Sequence, residues 1–390
     1  MTPGARVAAA AEVLDAWFGG LSAERALLRW SRGARYAGSK DRAAVRDHVF
    51  DALRRLRSGA ARGGGETGRG VLLGLLGPGP FDGRGHAPPP PDAAEAARLA
   101  APPTLSRAEA LDVPDWLLGE LDASLGIRAD AVLERMRHRA PVGLRVNLAR
   151  IGRDAAVAVL ASEGIAADPH ALSPGALVVR EGARLVSRSR AYAEGLVELQ
   201  DPASQAVADA VPLGGRILDL CAGGGGKSLA LAARGADPVW AHDGDPGRMR
   251  DLPARAERAG AQVIRLDRPE EAGPFDAVLV DAPCSGSGSW RRDPEGKWRL
   301  SPARLGEIEG VQDAILDRAA RLATPGGTIV YATCSLLARE NAGRIDAFVE
   351  RHRDWTTRSC RTITPLDGGD GFGIAVLEQD RPDGTPPPSA

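Results

Sequence analysis

Two cysteines in matching surroundings carry the chemistry of this chain. Cys284 closes the run Val278-Leu279-Val280-Asp281-Ala282-Pro283-Cys284-Ser285, and Cys334 closes Thr328-Ile329-Val330-Tyr331-Ala332-Thr333-Cys334-Ser335. Each run opens as a short apolar stretch that reads as a buried strand. Ligands of open α/β sheets bind beyond the carboxyl ends of strands, so thiols at two such ends can face one substrate. Asp281 adds a carboxylate three residues before Cys284. These groups suit a reaction at C5 of a pyrimidine. A thiolate added at C6 makes the ring enamine-like and able to take a methyl group at C5, while an acid at N3 stabilises the developing charge. The C5 proton must then leave before the thiol is eliminated. A buried cysteine on its own is ordinarily inert packing. Cys221 and Cys360 are read in that way, with Cys221 also placed to line the loop considered next.

That loop follows Ile217-Leu218-Asp219-Leu220 and runs Cys221-Ala222-Gly223-Gly224-Gly225-Gly226-Lys227-Ser228, ahead of an Ala/Leu helix. Glycines at a first strand-to-helix turn let the backbone approach a ligand closely. A P-loop would need glycine at position 221; Cys221 stands there. A loop around S-adenosylmethionine asks instead for acidic residues at the next strand ends. Asp243 follows Trp240-Ala241-His242, placed for ribose hydroxyls, and Asp267 ends the third strand, placed for the adenine amine.

The elements that must hold these groups form three blocks. Residues 6–57 show helical spacing of apolar residues, with Ser22 as an N-cap. The stretch Gly59–Gly70 reads as a mobile loop, and the four prolines Pro88 to Pro91 as a stiff connector. From about Val113 the pattern mixes helices (Trp116–Leu125, Ala129–Arg137, Arg153–Gly164) with short strands (Gly143–Asn147, Ala176–Val179, Gly195–Leu199), a small α+β module. After Pro202 strand, turn and helix repeat, with strands at Arg216–Leu220, Pro238–His242, Gln262–Leu266, Ala277–Val280 and Thr328–Tyr331. That rhythm predicts an α/β, doubly wound, mostly parallel sheet. Residues 381–390 are Pro-rich and read as a disordered tail.

The 390 residues, 43% hydrophobic and 26% charged, suffice for two or three packed domains. The net charge of -1 does not advertise nucleic acid. Residues 1–70, however, hold 13 Lys and Arg against 7 Asp and Glu, a surface that could face phosphates. Lysine occurs only at Lys40, Lys227 and Lys297. The four cysteines form no CxxC pair, which argues against zinc. No apolar run approaches the roughly 18 residues of a membrane span, and a cytoplasmic protein with reduced thiols is expected.

Taken in order, Arg145-Val146-Asn147, Gln200-Asp201-Pro202-Ala203-Ser204-Gln205, the loop 221–227, Asp281 to Ser285, Arg291 to Trp298 and Tyr331 to Ser335 resemble the RNA (cytosine-5) methyltransferase family of the Nop/Sun type. The resemblance extends to bacterial 16S ribosomal RNA enzymes with an N-terminal NusB-like domain. It implies an all-α NusB-like RNA-binding domain over 1–110, a small α+β, RRM-like RNA-binding module over 111–205, and a Rossmann-like S-adenosylmethionine-dependent methyltransferase domain over 206–380. It implies a monomer acting on RNA, with ribosomal RNA as substrate and no membrane partner. Cys334 would be the nucleophile, Cys284 would assist proton removal and product release, and Asp281 would contact base and cofactor. Cys221, Ala222, Gly223, Gly224, Gly225, Gly226, Lys227, Asp243 and Asp267 would hold S-adenosylmethionine. Arg145, Asn147, Arg291, Arg292 and Lys297 would contact RNA or organise the loop. The family's loop has Ala-Pro where this chain has Gly223-Gly224, so a more flexible loop and weaker cofactor binding are expected. Two rival functions stay open at this point. A DNA cytosine-5 enzyme would make Cys284 the attacker, and a non-catalytic RNA-binding or ribosome-assembly factor would retain only the fold.

Overall fold

The computed structural model describes residues 1–380; the reading of 381–390 as a tail lies outside them. The chain forms two compact units, one of Met1–Arg139 with Trp290–Leu300, the other of Ala140–Ser289 with the chain from Ser301 onward.

The first unit is all-α. Helices Pro3–Phe18, Ala23–Gly33, Ser39–Arg54, Leu56–Gly63 and Gly68–Leu76 enclose a core of Val7, Leu14, Val45, Val49, Leu53, Val71 and Leu72. Ser22 caps the second helix by accepting from the Arg25 amide. The stretch Gly59–Gly70 is not a mobile loop, and the reason is steric. A Cβ at Gly63 would stand 1.8 Å from the Gly70 carbonyl oxygen, and one at Gly74 would stand 2.0 Å from that of Gly59. The glycines therefore thin two helices until their backbones touch, and only 64–67 turns between them.

Residues 290–300 complete this unit from a distance in sequence. The Trp298 indole donates to the Leu53 carbonyl at 2.7 Å, and Arg54 Nε donates to the Arg291 carbonyl at 2.7 Å. Arg291 donates in turn to the carbonyls of His138 and Arg139. Trp290, Arg291 and Lys297 are buried.

The second unit holds two sheets. The smaller comprises β1 (Val142–Val146), β2 (Ala166–Pro169), β3 (Ala176–Glu181) and β4 (Val197–Leu199), antiparallel in the order β2-β3-β1-β4. With helix Arg153–Ser162 between β1 and β2, this is a ferredoxin-like arrangement. The larger comprises β5 (Ile217–Asp219), β6 (Val239–Ala241), β7 (Val263–Arg265), β8 (Phe275–Asp281), β9 (Ala323–Thr333), β10 (Trp355–Ile363) and β11 (Phe372–Gln379), in the order β10-β11-β9-β8-β5-β6-β7. Strands β5 to β9 run parallel, and β11 is antiparallel to both neighbours. Its central strands are buried on both faces, as a doubly wound sheet requires. Ala277, Leu279, Val330 and Ala332 pack on one side, and Val278, Val280, Ile329 and Tyr331 on the other.

The predicted strands β5 to β9 all form. Strands β2, β10 and β11 were not anticipated. In β10 every residue from Thr356 to Thr362 is exposed, so the apolar signal survives only at its ends, Trp355 and Ile363.

Candidate active site

The order of the large sheet reverses on either side of β5, and the crevice at such a switch point is where ligands bind. Four sequence-predicted groups arrive there from the carboxyl ends of β5, β6, β8 and β9: the loop 221–227, Asp243, Asp281 with Cys284, and Cys334.

The glycine loop turns through left-handed conformations at Gly223 (φ +52°) and Gly225 (φ +81°). It is tied down from several directions. The Gly223 amide donates to Asp243 Oδ2 at 2.8 Å, and Arg248 pairs with Asp243 at 3.2 Å. Arg255 donates to the Gly224 carbonyl and Arg145 Nη1 to the Gly226 carbonyl at 2.7 Å. The flexibility expected of Gly223-Gly224 is thus offset by contacts that the loop sequence does not reveal. Beneath it Asp219 is fully buried, takes a 2.6 Å hydrogen bond from Ser228, and leaves Oδ1 without a donor. Burial pushes its carboxyl up to about 6. A spare buried acceptor under a left-handed glycine turn, with the acidic Asp243 at the next strand end, fits a cationic, ribose-bearing cofactor. Asp267 is exposed just beyond β7. The Cys221 thiol is pushed far above its ordinary range by burial and then by Asp219, Asp281 and Asp243.

Lys227 Nζ donates to Asp281 Oδ2 at 2.6 Å. Burial pushes the ammonium's pKa down, but the attraction of Asp281 outweighs it and the net shift is upward. The two thiols meet, with Cys284 Sγ 3.3 Å from Cys334 Sγ. They are not equivalent. The hydrogen-bond contact with Cys284 holds Cys334 below its ordinary value, against burial and Asp281, with help from Lys227. The same contact, then burial, pushes Cys284 well above its own. The surroundings thus favour the thiolate at Cys334 over Cys284.

The remaining residues singled out in the sequence lie elsewhere. Arg145 is buried with Gln200 and the Gly226 carbonyl as partners, and Asn147 donates to the carbonyls of Gly195 (3.1 Å) and Ala259 (2.8 Å). Arg291 and Lys297 are buried in the helical unit, where burial brings Lys297 down to about 8. Arg292 is exposed. Cys360, read as a buried packing residue, is exposed on β10 because that strand forms the sheet edge.

One residue of this neighbourhood escaped the sequence reading. Glu340 is fully buried and takes hydrogen bonds from Ser285 and Ser335, the residues that directly follow the two cysteines. The repeated Cys-Ser dipeptide was the available signal.

A sheet of this order, with a glycine loop and a thiol pair at its switch point, defines a Rossmann-like methyltransferase fold. Residues 211–377 match the family model described as 16S rRNA methyltransferase RsmB/F, and residues 113–185 match the ferredoxin-like domain of RsmF/B-like methyltransferases. The chain belongs to the RsmB/F family. Ribosomal RNA small subunit methyltransferase B of Xanthomonas campestris pv. campestris is 36% identical over 260 residues, covering 62% of this chain and 58% of that protein. The protein of the same name from Citrobacter koseri is 36% identical over 282 residues, covering 68% and 66%. The match therefore spans 58% to 66% of the length of these relatives. In fold, the chain is similar to the crystal structure of PH0851, at a TM-score of 0.75 and 21% identity, covering 97% of this chain and 99% of that one. A methyltransferase homolog protein from Pyrococcus horikoshii aligns at a TM-score of 0.62 and 23% identity, covering 70% and 97%. Among the described residues no helix is long and apolar enough to cross a membrane, and no group of three or more His, Cys, Asp or Glu could hold a metal.

Proposed function

We propose that the protein methylates C5 of a cytosine in ribosomal RNA of the small subunit through a covalent bond between Cys334 and C6. The supporting observation is the thiol pair itself: two sulfurs 3.3 Å apart at the ends of β8 and β9, with Asp281 and Lys227 beside them, the surroundings shifting Cys334 down and Cys284 up. S-adenosylmethionine, when bound, supplies an electrophilic methyl group. The loop 221–227 with Asp243 and Asp219 would hold it, and Asp267 is proposed at its outer edge. Lys227 keeps Asp281 oriented at the end of β8, where the carboxyl would meet the cytosine ring. Cys334 Sγ adds to C6, and C5 gains the electron pair that takes the methyl group. The C5 proton then passes to a base assisted by Cys284, the C6–S bond breaks, and its electrons return to Cys334 as thiolate. The target cytosine must be unstacked, which favours a loop or bulge. The helical unit and the ferredoxin-like module are the proposed RNA grips, and a cytoplasmic monomer is the proposed working form.

Trapping tests this reading. The Cys284→Ala variant should accumulate a covalent RNA adduct, and Cys334→Ala should form none. Methylation by Cys334→Ala would overturn the assignment and favour the DNA-type arrangement with Cys284 attacking.

A further inference from the structure

The buried carboxylate of Glu340 links the two catalytic turns. It follows β9 by a few residues, yet one of its partners lies beyond β8. Oε1 accepts from the Ser285 amide at 2.8 Å and from Gln312 Nε2 at 3.1 Å. Oε2 accepts from the Ser285 hydroxyl and, at 2.5 Å, from the Ser335 hydroxyl. All four donors are satisfied by one carboxylate, which a carboxylate with two acceptor oxygens can do. Ser335 Oγ also accepts from the Leu337 amide at 3.0 Å and meets Ser287 Oγ at 2.9 Å. Gln312, on helix Pro302–Leu322, donates as well to the Pro283 carbonyl at 3.0 Å, fixing the residue before Cys284. The network is too far inside to touch a substrate: Glu340, Ser335 and Gln312 are fully buried.

We propose that Glu340 is the positioning residue of the thiol pair, holding Ser285 and Ser335 so that the adjacent Cys284 and Cys334 stay in sulfur contact. The Cys284–Cys334 contact joins residues on two separate turns, so its length depends on how firmly those turns are fixed to each other. The groups facing Cys334 are Cys284 and Asp281 from β8 and its turn, Lys227 from the helix after the glycine loop, and the Ser289 hydroxyl. Of these, the Cys284 contact has the largest influence, and it is the one Glu340 controls. The inference rests on Cys334 being the nucleophile, but its test does not require methyl transfer.

The test is the pH dependence of Cys334 alkylation by iodoacetamide, read by peptide mass spectrometry on the full chain without RNA or cofactor. In the parent protein Cys334 should react with a midpoint below the ordinary thiol value. Glu340→Gln replaces one acceptor oxygen by a donor, so either the two serine hydroxyls or the Ser285 amide and Gln312 lose their acceptor. Its midpoint should rise toward or above the ordinary value, kcat should fall about 10- to 100-fold from misplacement of the reacting sulfur, and KM for RNA should change by less than about threefold on the same argument. Where Glu340→Gln lowers Tm too far to be assayed folded, Ser285→Ala and Ser335→Ala each remove one arm. Each should raise the midpoint, and the double variant should add less than the sum of the two, as for residues in one network. An unchanged midpoint in folded Glu340→Gln, or in both serine variants, overturns the proposal. Methylation by Cys334→Ala would defeat the functional reading while leaving the alkylation result to judge the clamp.

Discussion

Lys227 and Asp281 form an ion pair of 2.6 Å that joins the helix after the glycine loop to the end of β8. The lysine is almost fully buried, whereas the Asp281 side chain is 31% exposed. Replacing one partner leaves the other charged and poorly solvated. Lys227→Met should therefore lower stability by about 2–4 kcal/mol, nearer the lower figure because water still reaches Asp281. The pKa of Lys227 is raised, so its contribution is fully present below the ordinary lysine value of 10.5 and lost as pH rises past its higher folded value. Denaturant titrations from pH 7 to 11 should show the parent and Lys227→Met curves converging at the alkaline end.

Asp219 shows the same direction at lower pH, from burial rather than from an ion pair. Its folded carboxyl is raised to about 6 from 3.8. Between those values the folded state holds more protons than the unfolded chain, so the group's stability is fully present below the unfolded value and lost as pH rises through about 6. Asp219→Asn removes that loss. The variant should match the parent near pH 4 and exceed it above pH 6 by on the order of 2–3 kcal/mol. Parallel stability curves over that window would contradict the burial argument.

Cofactor affinity should depend on the arginine that holds the glycine loop from outside. Arg255 donates to the Gly224 carbonyl while its partner Glu198 also takes Arg258 at 2.6 Å. Arg255→Ala should weaken S-adenosylmethionine binding about tenfold, the equivalent of one charged hydrogen bond of ~1.5 kcal/mol. Arg258→Ala, which leaves the loop contact in place, serves as the control. Calorimetry that finds equal affinity in both variants would rule out the tie.

The loop's geometry makes a second demand. Gly225 has φ +81°, and a Cβ there would lie 2.1 Å from Leu252 Cδ1, itself buried. Gly225→Ala should cost about 1–3 kcal/mol of backbone strain and displace Leu252, seen as a lower Tm together with loss of cofactor binding. Gly224→Ala meets only the flexible end of Arg255 at 3.0 Å and should be milder.

RNA binding should fall with added salt through a small set of cations. Arg25, Arg29, Arg32 and Arg35 are exposed, and their guanidinium groups have no hydrogen-bond or ion-pair partner among the described residues, with Tyr36 exposed beside them. Most other arginines among the described residues are paired with a carboxylate or a carbonyl. Charge reversal of two of these four should reduce the salt slope of RNA affinity by about two. An unchanged slope would move the RNA grip elsewhere.

The parallel strands were legible because burial on both faces leaves unbroken apolar runs, as in Val278-Leu279-Val280. Strand β10 was not, because its exposed residues carry no such run. The Gly59–Gly70 stretch misled for a physical reason: a residue that permits a loose turn also permits two helices to touch, and sequence does not say which. The thiols, Asp281 and the glycine loop were readable from residue type at strand ends. Glu340 was not, because its significance lies in joining residues 50 positions apart. Arg145 and Lys297 show the converse case. Their charge suggested a ligand, but the fold uses each as an internal donor to a carbonyl.

The segment 290–300 has a consequence for synthesis. The helical unit is made first, yet Leu53 and Arg54 find partners in Trp298 and Arg291, which emerge only after some 240 further residues. Domains that fold as they leave the ribosome usually do so in order from the N-terminus. Here the last layer of the first unit is made only after strands β1 to β8. Nascent chains stalled before residue 290 should be cut more readily within residues 1–139 than chains stalled well past residue 330, and equal protection would show that the unit closes without it.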